Sequence, residues 1–172
     1  MIIDLSSFLD GTNDLLNFEG ELVIDSLELG GRDIIVVEPV KYEGDIFKID
    51  GEKAINIRIS YTYNEICHRC LKPATNKIKT ILSGKLVNGK EESDNEYEGY
   101  DELFYYKDDI LDIREHILNQ VILSLPMKSL CSSDCKGLCS ICGADLNNTS
   151  CNCIQENIDP RFEKLKNFFP KN

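Results

Sequence analysis

The sequence predicts an α+β protein: an antiparallel β-sheet or partly closed β-barrel, one main helix and a cysteine-rich C-terminal segment. Turn residues divide the first half of the 172-residue chain into β-rich runs, and an apolar stripe at helical spacing follows. Six of the eight cysteines then fall within the segment 131–153. We assign 1–126 to a β-rich domain containing the helix, 127–158 to a cysteine-rich segment packed on it, and 159–172 to a short C-terminal helix.

Short strands separated by turns make up the first half. The β-rich runs 34–37 and 46–49 lie between glycine-containing turn signals. These signals are Gly30-Gly31, Glu43-Gly44-Asp45, Asp50-Gly51 and Asn88-Gly89. The spacing of the turns therefore predicts several short antiparallel strands.

The clearest strand runs from 54 to 66. Its odd positions are apolar and its even positions are polar, the pattern of a sheet with one buried face. The apolar positions are Ile55, Ile57, Ile59, Tyr61 and Tyr63. A second strand at 76–87 alternates more weakly, with Lys77, Lys79 and Lys85 on its polar side. The two strands predict a long hairpin with 67–73 at its tip.

Charge is segregated along the chain. The net charge is −11, which argues against nucleic-acid binding by the surface as a whole, because an acidic surface repels phosphate. Residues 66–90 nevertheless contain six cationic residues and no acid, whereas 91–109 contain nine acidic residues and one lysine. We interpret 91–109 as a solvated loop, apart from a short strand at 103–106.

One helix is predicted from about 109 to 125. Its apolar positions recur at helical spacing: Ile110, Ile113, Ile117, Leu118, Val121, Ile122 and Leu125. Asp108 or Asp109 would cap its start and Pro126 would end it. A second amphipathic segment at 160–169 follows Asp159-Pro160, a favourable helix start.

The cysteine spacing predicts two four-thiolate zinc sites. Cys139-Ser140-Ile141-Cys142-Gly143 has the form of a zinc knuckle, in which glycine permits a tight turn beneath the sulfurs. Cys151 and Cys153 follow after a short loop, close enough in the chain to reach the same ion. These four cysteines form one predicted structural zinc site.

The other site combines distant parts of the chain. Cys67 and Cys70 form a second knuckle at the hairpin tip, and two ligands do not close a structural site. We therefore group them with Cys131 and Cys135, which would clamp the sheet to the segment after the helix. An exchange of Cys131 and Cys135 with Cys151 and Cys153 is the alternative.

Enzymatic chemistry has little support in the sequence. Cys-x-x-Cys also marks thiol oxidoreductases, but those motifs lie where a strand leads into a helix, whereas Cys67 and Cys70 lie in a hairpin. A catalytic zinc needs an open position and a nearby base. Of the two histidines, His68 lies inside a knuckle and His116 within the helix, and we expect neither to be catalytic. The carboxylates of 91–109 lack a partner base.

Several motifs together resemble the YceD family of large ribosomal RNA subunit accumulation proteins. They include the Cys67-His68-Arg69-Cys70-Leu71 knuckle and the segments 111–118, 125–128, 134–139, 142–147 and 159–165. The resemblance covers about 35 to 169. Ser140 departs from it, since the family usually has proline there.

The resemblance implies a non-enzymatic bacterial or plastid protein that supports accumulation or processing of large-subunit (23S) ribosomal RNA. We expect it to act by binding. Its partner would be a ribosomal RNA precursor, or a ribosomal or assembly protein. The expected contact surface is the basic hairpin, with Arg69, Lys72, Lys77 and Lys79. The alternative is that these are ordinary solvated strand residues.

A different class of function is a protein–protein adaptor whose acidic stretch 91–109 engages a basic ribosomal protein without touching RNA. A thiol oxidoreductase, with a reversible Cys67–Cys70 disulfide and no metal, is the enzyme alternative. We expect no small-molecule substrate and no membrane association. The start lacks a signal peptide pattern and no apolar run approaches the length of a membrane span, so we expect a cytoplasmic protein.

Overall fold

The computed structural model describes residues 1–11, 13–49, 51–89 and 102–153. Within these ranges the elements follow in the order β1 (Ile2–Asp4), α1 (Ser6–Leu9), β2 (Leu15–Leu22), β3 (Ser26–Leu29), β4 (Arg32–Val36), β5 (Val40–Ile49), β6 (Glu52–Ile66), β7 (Pro73–Asn88), β8 (Leu103–Tyr106), β9 (Ile110–Asp112) and α2 (Arg114–Ser124). The predicted α+β class is confirmed.

The long hairpin of β6 and β7 forms the centre of the main sheet. The two strands pair from Ala54 opposite Lys85 to Ile66 opposite Pro73. On its other edge β6 pairs first with β5 and then with β4, and β2 and β3 extend the sheet outward. β8 pairs in parallel with the end of β7. The sheet curls into a half-barrel, as the sequence pattern predicted.

The core lies on the face that carries the odd-numbered residues of β6. Ile55, Ile57 and Ile59 are at most 1% exposed, and burial of each such side chain is worth about 2 kcal/mol. Helix α2 packs on this face through its buried Ile117 and Val121. The Tyr61 hydroxyl donates to the backbone carbonyl of Val121 at 3.0 Å, which joins the helix to the sheet.

The predicted helix start at 109 is wrong. Ile110–Asp112 form β9, which pairs with β1, and α2 begins at Arg114. Asp108 and Asp109 have φ values of 50° and 60°, so they form the turn before β9 and do not cap the helix. The N-cap residue is Ile113, and the side chain of Asp112 just before it accepts from the Arg114 backbone N–H at 3.0 Å. Ile110 fits the apolar spacing of a helix, but its pairing with β1 places it in a strand.

Among the described residues of 91–109, Glu102 has a partner that the sequence did not reveal. His116 stacks on Phe104 with ring centroids 4.2 Å apart, and its Nδ1 contacts the Glu102 carboxylate. Both side chains are partly buried. The expectation that these carboxylates all lack a partner base is therefore wrong for Glu102. Its contacts join α2 to the start of β8.

The predicted C-terminal helix, including 160–169, lies outside the described residues, as does most of the acidic stretch. The predicted strand at 103–106 is confirmed as β8. Among the described residues, no helix has the length and apolar character needed to cross a bilayer.

Candidate metal centre

The two Cys-x-x-Cys knuckles share one backbone geometry. In the first, the Leu71 N–H donates to the Cys67 carbonyl at 2.9 Å and the Cys67 N–H donates to the Lys72 carbonyl at 2.8 Å. In the second, the Gly143 N–H donates to the Cys139 carbonyl at 2.9 Å and the Cys139 N–H donates to the Ala144 carbonyl at 2.8 Å. The sequence predicts the two knuckles but not that they repeat the same hydrogen bonds.

The residue after each second cysteine has a positive φ. Gly143 adopts 73°, which glycine tolerates without cost. Leu71 adopts 58° at the equivalent position, although a left-handed conformation costs a non-glycine residue about 1–2 kcal/mol. Leu71 is 65% exposed, so burial of its side chain does not repay this strain.

The structure brings the eight cysteines together as two groups of four. One group is Cys67, Cys70, Cys131 and Cys135, and the other is Cys139, Cys142, Cys151 and Cys153. Within each group the sulfur atoms all lie within 4.8 Å of one another. The exchanged pairing, in which Cys151 and Cys153 join the hairpin tip, is not the one that the structure adopts.

The sulfur separations fit one tetrahedral metal ion. The Cys67 and Cys135 sulfurs are 3.8 Å apart, and those of Cys70 and Cys131 are 3.6 Å apart. Four sulfurs bound at about 2.3 Å to one zinc ion would lie about 3.8 Å apart. A disulfide would require about 2.05 Å. The donor set and its spacing therefore suit a closed four-thiolate site.

Each group has one cysteine whose thiolate form is favoured. Although burial raises the pKa of Cys67, nearby backbone N–H groups lower it by more, to about 6. Backbone N–H groups of Cys142 and Ile141 likewise lower the pKa of Cys139 to about 6. Each knuckle thus presents a sulfur ready to bind a cation.

One cysteine in the last pair of each group behaves in the opposite way. A hydrogen bond with Cys135 raises the pKa of Cys131 to about 12, and a hydrogen bond with Cys142 raises that of Cys153 to about 12. Without a cation, negative charge on one sulfur disfavours charge on its neighbours. A divalent ion would offset this repulsion, so metal binding would be accompanied by proton release.

A buried polar network that was not predicted from the sequence supports the first group. Two nitrogens of the Arg32 guanidinium donate to the Glu65 carboxylate at 2.7 and 2.8 Å. Ser129 donates its hydroxyl to the same carboxylate and also contacts the Tyr63 hydroxyl at 2.9 Å. The Ser129 carbonyl accepts from the His68 N–H at 2.9 Å. The network therefore ties the hairpin tip to the chain leading into Cys131.

A signal for this network was present in the sequence. Glu65 continues the odd-numbered row of buried residues on β6, and its side chain is only 5% exposed. A carboxylate at such a position requires a buried partner. Hydrogen bonds from Arg32, followed by those from Ser129, lower the pKa of Glu65 despite its burial.

The two groups are joined directly. Lys72 beside the first knuckle forms an ion pair with Asp145 at 2.5 Å, and this lysine lowers the pKa of Asp145 to about 2. Asn147 Nδ2 lies 3.5 Å from the Cys135 sulfur. Gly137 packs so closely that an added Cβ would lie 2.9 Å from the Arg69 carbonyl. The cysteine-rich segment is thus packed on the hairpin tip.

The four basic residues of the expected contact surface occupy two environments. Arg69 donates to the Cys135 carbonyl at 2.8 Å and Lys72 pairs with Asp145, so both hold the cysteine-rich segment in place. Lys77 and Lys79 are exposed and project from the face of β7 opposite the core. The structure therefore does not gather the four into one surface of free cations.

The fold and these sites define an α+β protein with two tetracysteine groups that could each hold a metal ion. The model for the YceD family, described as Large ribosomal RNA subunit accumulation protein YceD, matches residues 55–169. This is more than half of the chain, and the chain belongs to the YceD family.

The relatives match part of this chain and are longer proteins. An uncharacterized protein of Mycobacterium tuberculosis is 33% identical over 99 residues, which are 58% of this chain and 47% of the relative. The chloroplastic YCED homolog 1 of Arabidopsis thaliana, described as a large ribosomal RNA subunit accumulation protein, is 33% identical over 88 residues, 46% of this chain and 27% of the relative. The chain thus spans less than half the length of these relatives. No solved structure matches the chain.

Proposed function

We propose that this protein is a non-enzymatic ribosome-biogenesis factor that supports accumulation of large-subunit ribosomal RNA by binding. The observation that carries this proposal is membership of the YceD family, whose description names that RNA. The description of the Arabidopsis relative names the same role. We place the protein in the cytoplasm, with a ribosomal RNA precursor or an assembly protein as its partner.

Zinc is the metal that we propose for both cysteine groups. Four thiolates at tetrahedral spacing are the usual ligands of structural zinc, and no ligand position remains open for substrate. This supports a role in folding rather than in catalysis. The ions would fix the hairpin tip and the cysteine-rich segment as one unit.

The part of the surface that we propose for RNA contact is the outer face of β7 around Lys77 and Lys79. These two side chains are exposed, in a segment without acidic residues. Each phosphate contact by a lysine contributes favourable counterion release. Arg69 and Lys72 contribute by holding the hairpin tip rather than as the principal contacts.

The test is to delete the gene and measure the amount of large-subunit relative to small-subunit ribosomal RNA. We expect the ratio to fall, to be restored by the unaltered chain, and to stay low with Lys77→Glu/Lys79→Glu. A control variant, Lys107→Glu/Lys128→Glu, makes the same charge change at two exposed lysines outside β7 and should restore the ratio. An unchanged ratio after deletion would refute the proposed function.

A pull-down of ribosomal precursors with and without ribonuclease distinguishes the proposed RNA-binding factor from a protein–protein adaptor. We expect the association to be lost after ribonuclease treatment and to be weakened by Lys77→Glu/Lys79→Glu. Partners that remain bound after the RNA is removed would instead support a protein–protein adaptor.

A further inference from the structure

Among the described residues, one edge of β7 has no neighbouring strand over most of its length. β7 pairs with β6 from Pro73 to Lys85 on one side, whereas β8 covers its other side only from Lys85 to Asn88. Within the part of the chain that the structure describes, no strand pairs with this second edge before Lys85. An open edge presents backbone donors and acceptors to which another strand can bind.

The backbone groups that face this edge can be identified from two contacts. The Lys85 N–H donates to the Glu102 carbonyl at 3.0 Å, and the Ile81 carbonyl accepts from Gln120 Nε2 at 3.3 Å. Because backbone groups alternate in direction along a strand, odd-numbered residues of β7 point away from β6. Exposed residues that present both N–H and C=O to the open edge include Thr75, Lys77 and Lys79.

The side chains along the edge have a defined chemistry. Lys77 and Lys79 project on the outer face, opposite Thr62 and Ser60 of β6. Ile81 follows them on the same face and is 61% exposed. The edge therefore offers a ladder of hydrogen bonds, two cations and one apolar contact in a row.

We propose that this edge is a docking site for an extended acidic polypeptide segment, which adds a strand to β7. Strand addition supplies affinity through backbone hydrogen bonds, and alternate side chains supply specificity. Acidic side chains of the added strand would lie beside Lys77 and Lys79. Lys77 and Lys79 also belong to the surface proposed for RNA contact, but this proposal rests on the open edge of β7 and not on the action on ribosomal RNA.

The lysines also determine which strands are rejected. If a second copy of this chain paired through the same edge, its own Lys77 and Lys79 would approach those of the first copy. Like charges on adjacent strands are destabilising, and lysine on an edge strand commonly prevents such self-association. The charge on the edge therefore selects an acidic strand over a second copy.

The test is a titration of the full ¹⁵N-labelled, metal-bound chain with a capped peptide of about nine residues that alternates Glu and Val. We expect amide shifts confined to β7 around Thr75, Lys77, Lys79 and Ile81. A peptide of equal charge with Pro in place of every Val cannot form a strand, and it should cause no such shifts. A peptide with Lys in place of Glu should not bind.

Two protein variants distinguish the contribution of the backbone N–H to peptide binding from that of the lysine charge. Lys79→Pro removes an outward N–H but no bond to β6, and should weaken peptide binding by roughly tenfold, whereas Lys79→Gln keeps the N–H and should weaken it less. Metal content and the spectrum away from β7 check that each variant is folded. If Lys79→Pro does not fold, the comparison of the Glu–Val peptide with its proline counterpart still tests whether binding requires an added strand.

Three results would overturn the proposal: no shifts with the Glu–Val peptide, equal binding of the proline peptide, or self-association of the chain through β7. A failed titration leaves the proposed function intact, because that function is read from ribosomal RNA accumulation. Conversely, an unchanged RNA ratio after deletion leaves the docking site standing if the peptide binds as expected.

Discussion

Loss of the first cysteine group should destabilise the protein more than loss of the second. A metal ion that links Cys67 to Cys135 closes a loop of 68 residues, whereas the loop from Cys139 to Cys153 is far shorter. Treated as a cross-link that reduces the entropy of the unfolded chain, the first closure contributes about 4.4 kcal/mol and the second, a loop of about 15 residues, contributes about 3 kcal/mol. The difference of about 1.4 kcal/mol corresponds to about 3–6 °C in melting temperature for a chain of this size.

The matched variants are Cys131→Ser/Cys135→Ser and Cys151→Ser/Cys153→Ser. Each removes two ligands of one group, and metal analysis should find one ion fewer in each. Scanning calorimetry should give the lower melting temperature for the Cys131→Ser/Cys135→Ser chain. Equal melting temperatures, or a lower value for the other variant, would refute the idea that the first group clamps the sheet to the cysteine-rich segment.

Three further predictions concern single residues, each measured by chemical denaturation. Leu71→Gly should raise the free energy of unfolding by about 0.5–1 kcal/mol by relieving a positive φ, whereas Leu71→Ala should not. Gly137→Ala should cost about 2–3 kcal/mol because its Cβ meets a backbone carbonyl, whereas Gly143→Ala, with no atom within 4 Å, should cost only about 1 kcal/mol; equal costs would contradict the packing argument. Glu65→Gln should cost about 2–3 kcal/mol at neutral pH, since it weakens a mostly buried pair with Arg32. Because the pKa of Glu65 is lowered in the folded state, this stabilisation is present above its unfolded pKa of about 4.3 and is lost as the pH falls through the lower folded value.

The sequence was most informative where spacing alone determines geometry. Alternation along 54–66 identified β6 and its buried face, and the two-residue gaps between cysteines identified the knuckles. The joining of Cys131 and Cys135 to the hairpin tip followed from ligand count. These features depend on neighbours in the chain or on the coordination number of a metal, both of which can be read from a sequence.

Features that depend on tertiary neighbours were not predicted. Ile110 fits the helical stripe, yet pairing with β1 makes it part of a strand. Arg69 and Lys72 look like members of a basic surface, but their partners Cys135 and Asp145 lie far away in the chain, within the cysteine-rich segment. Charge segregation cannot distinguish cations that bind a partner from cations that hold the fold together.

The most direct test of the two-site account is native mass spectrometry of the purified chain combined with elemental analysis. We predict two zinc ions per chain, and one ion in each double serine variant. A mass lower than that of the eight-thiol chain, with no bound metal, would show disulfides in place of metal sites and would contradict the account.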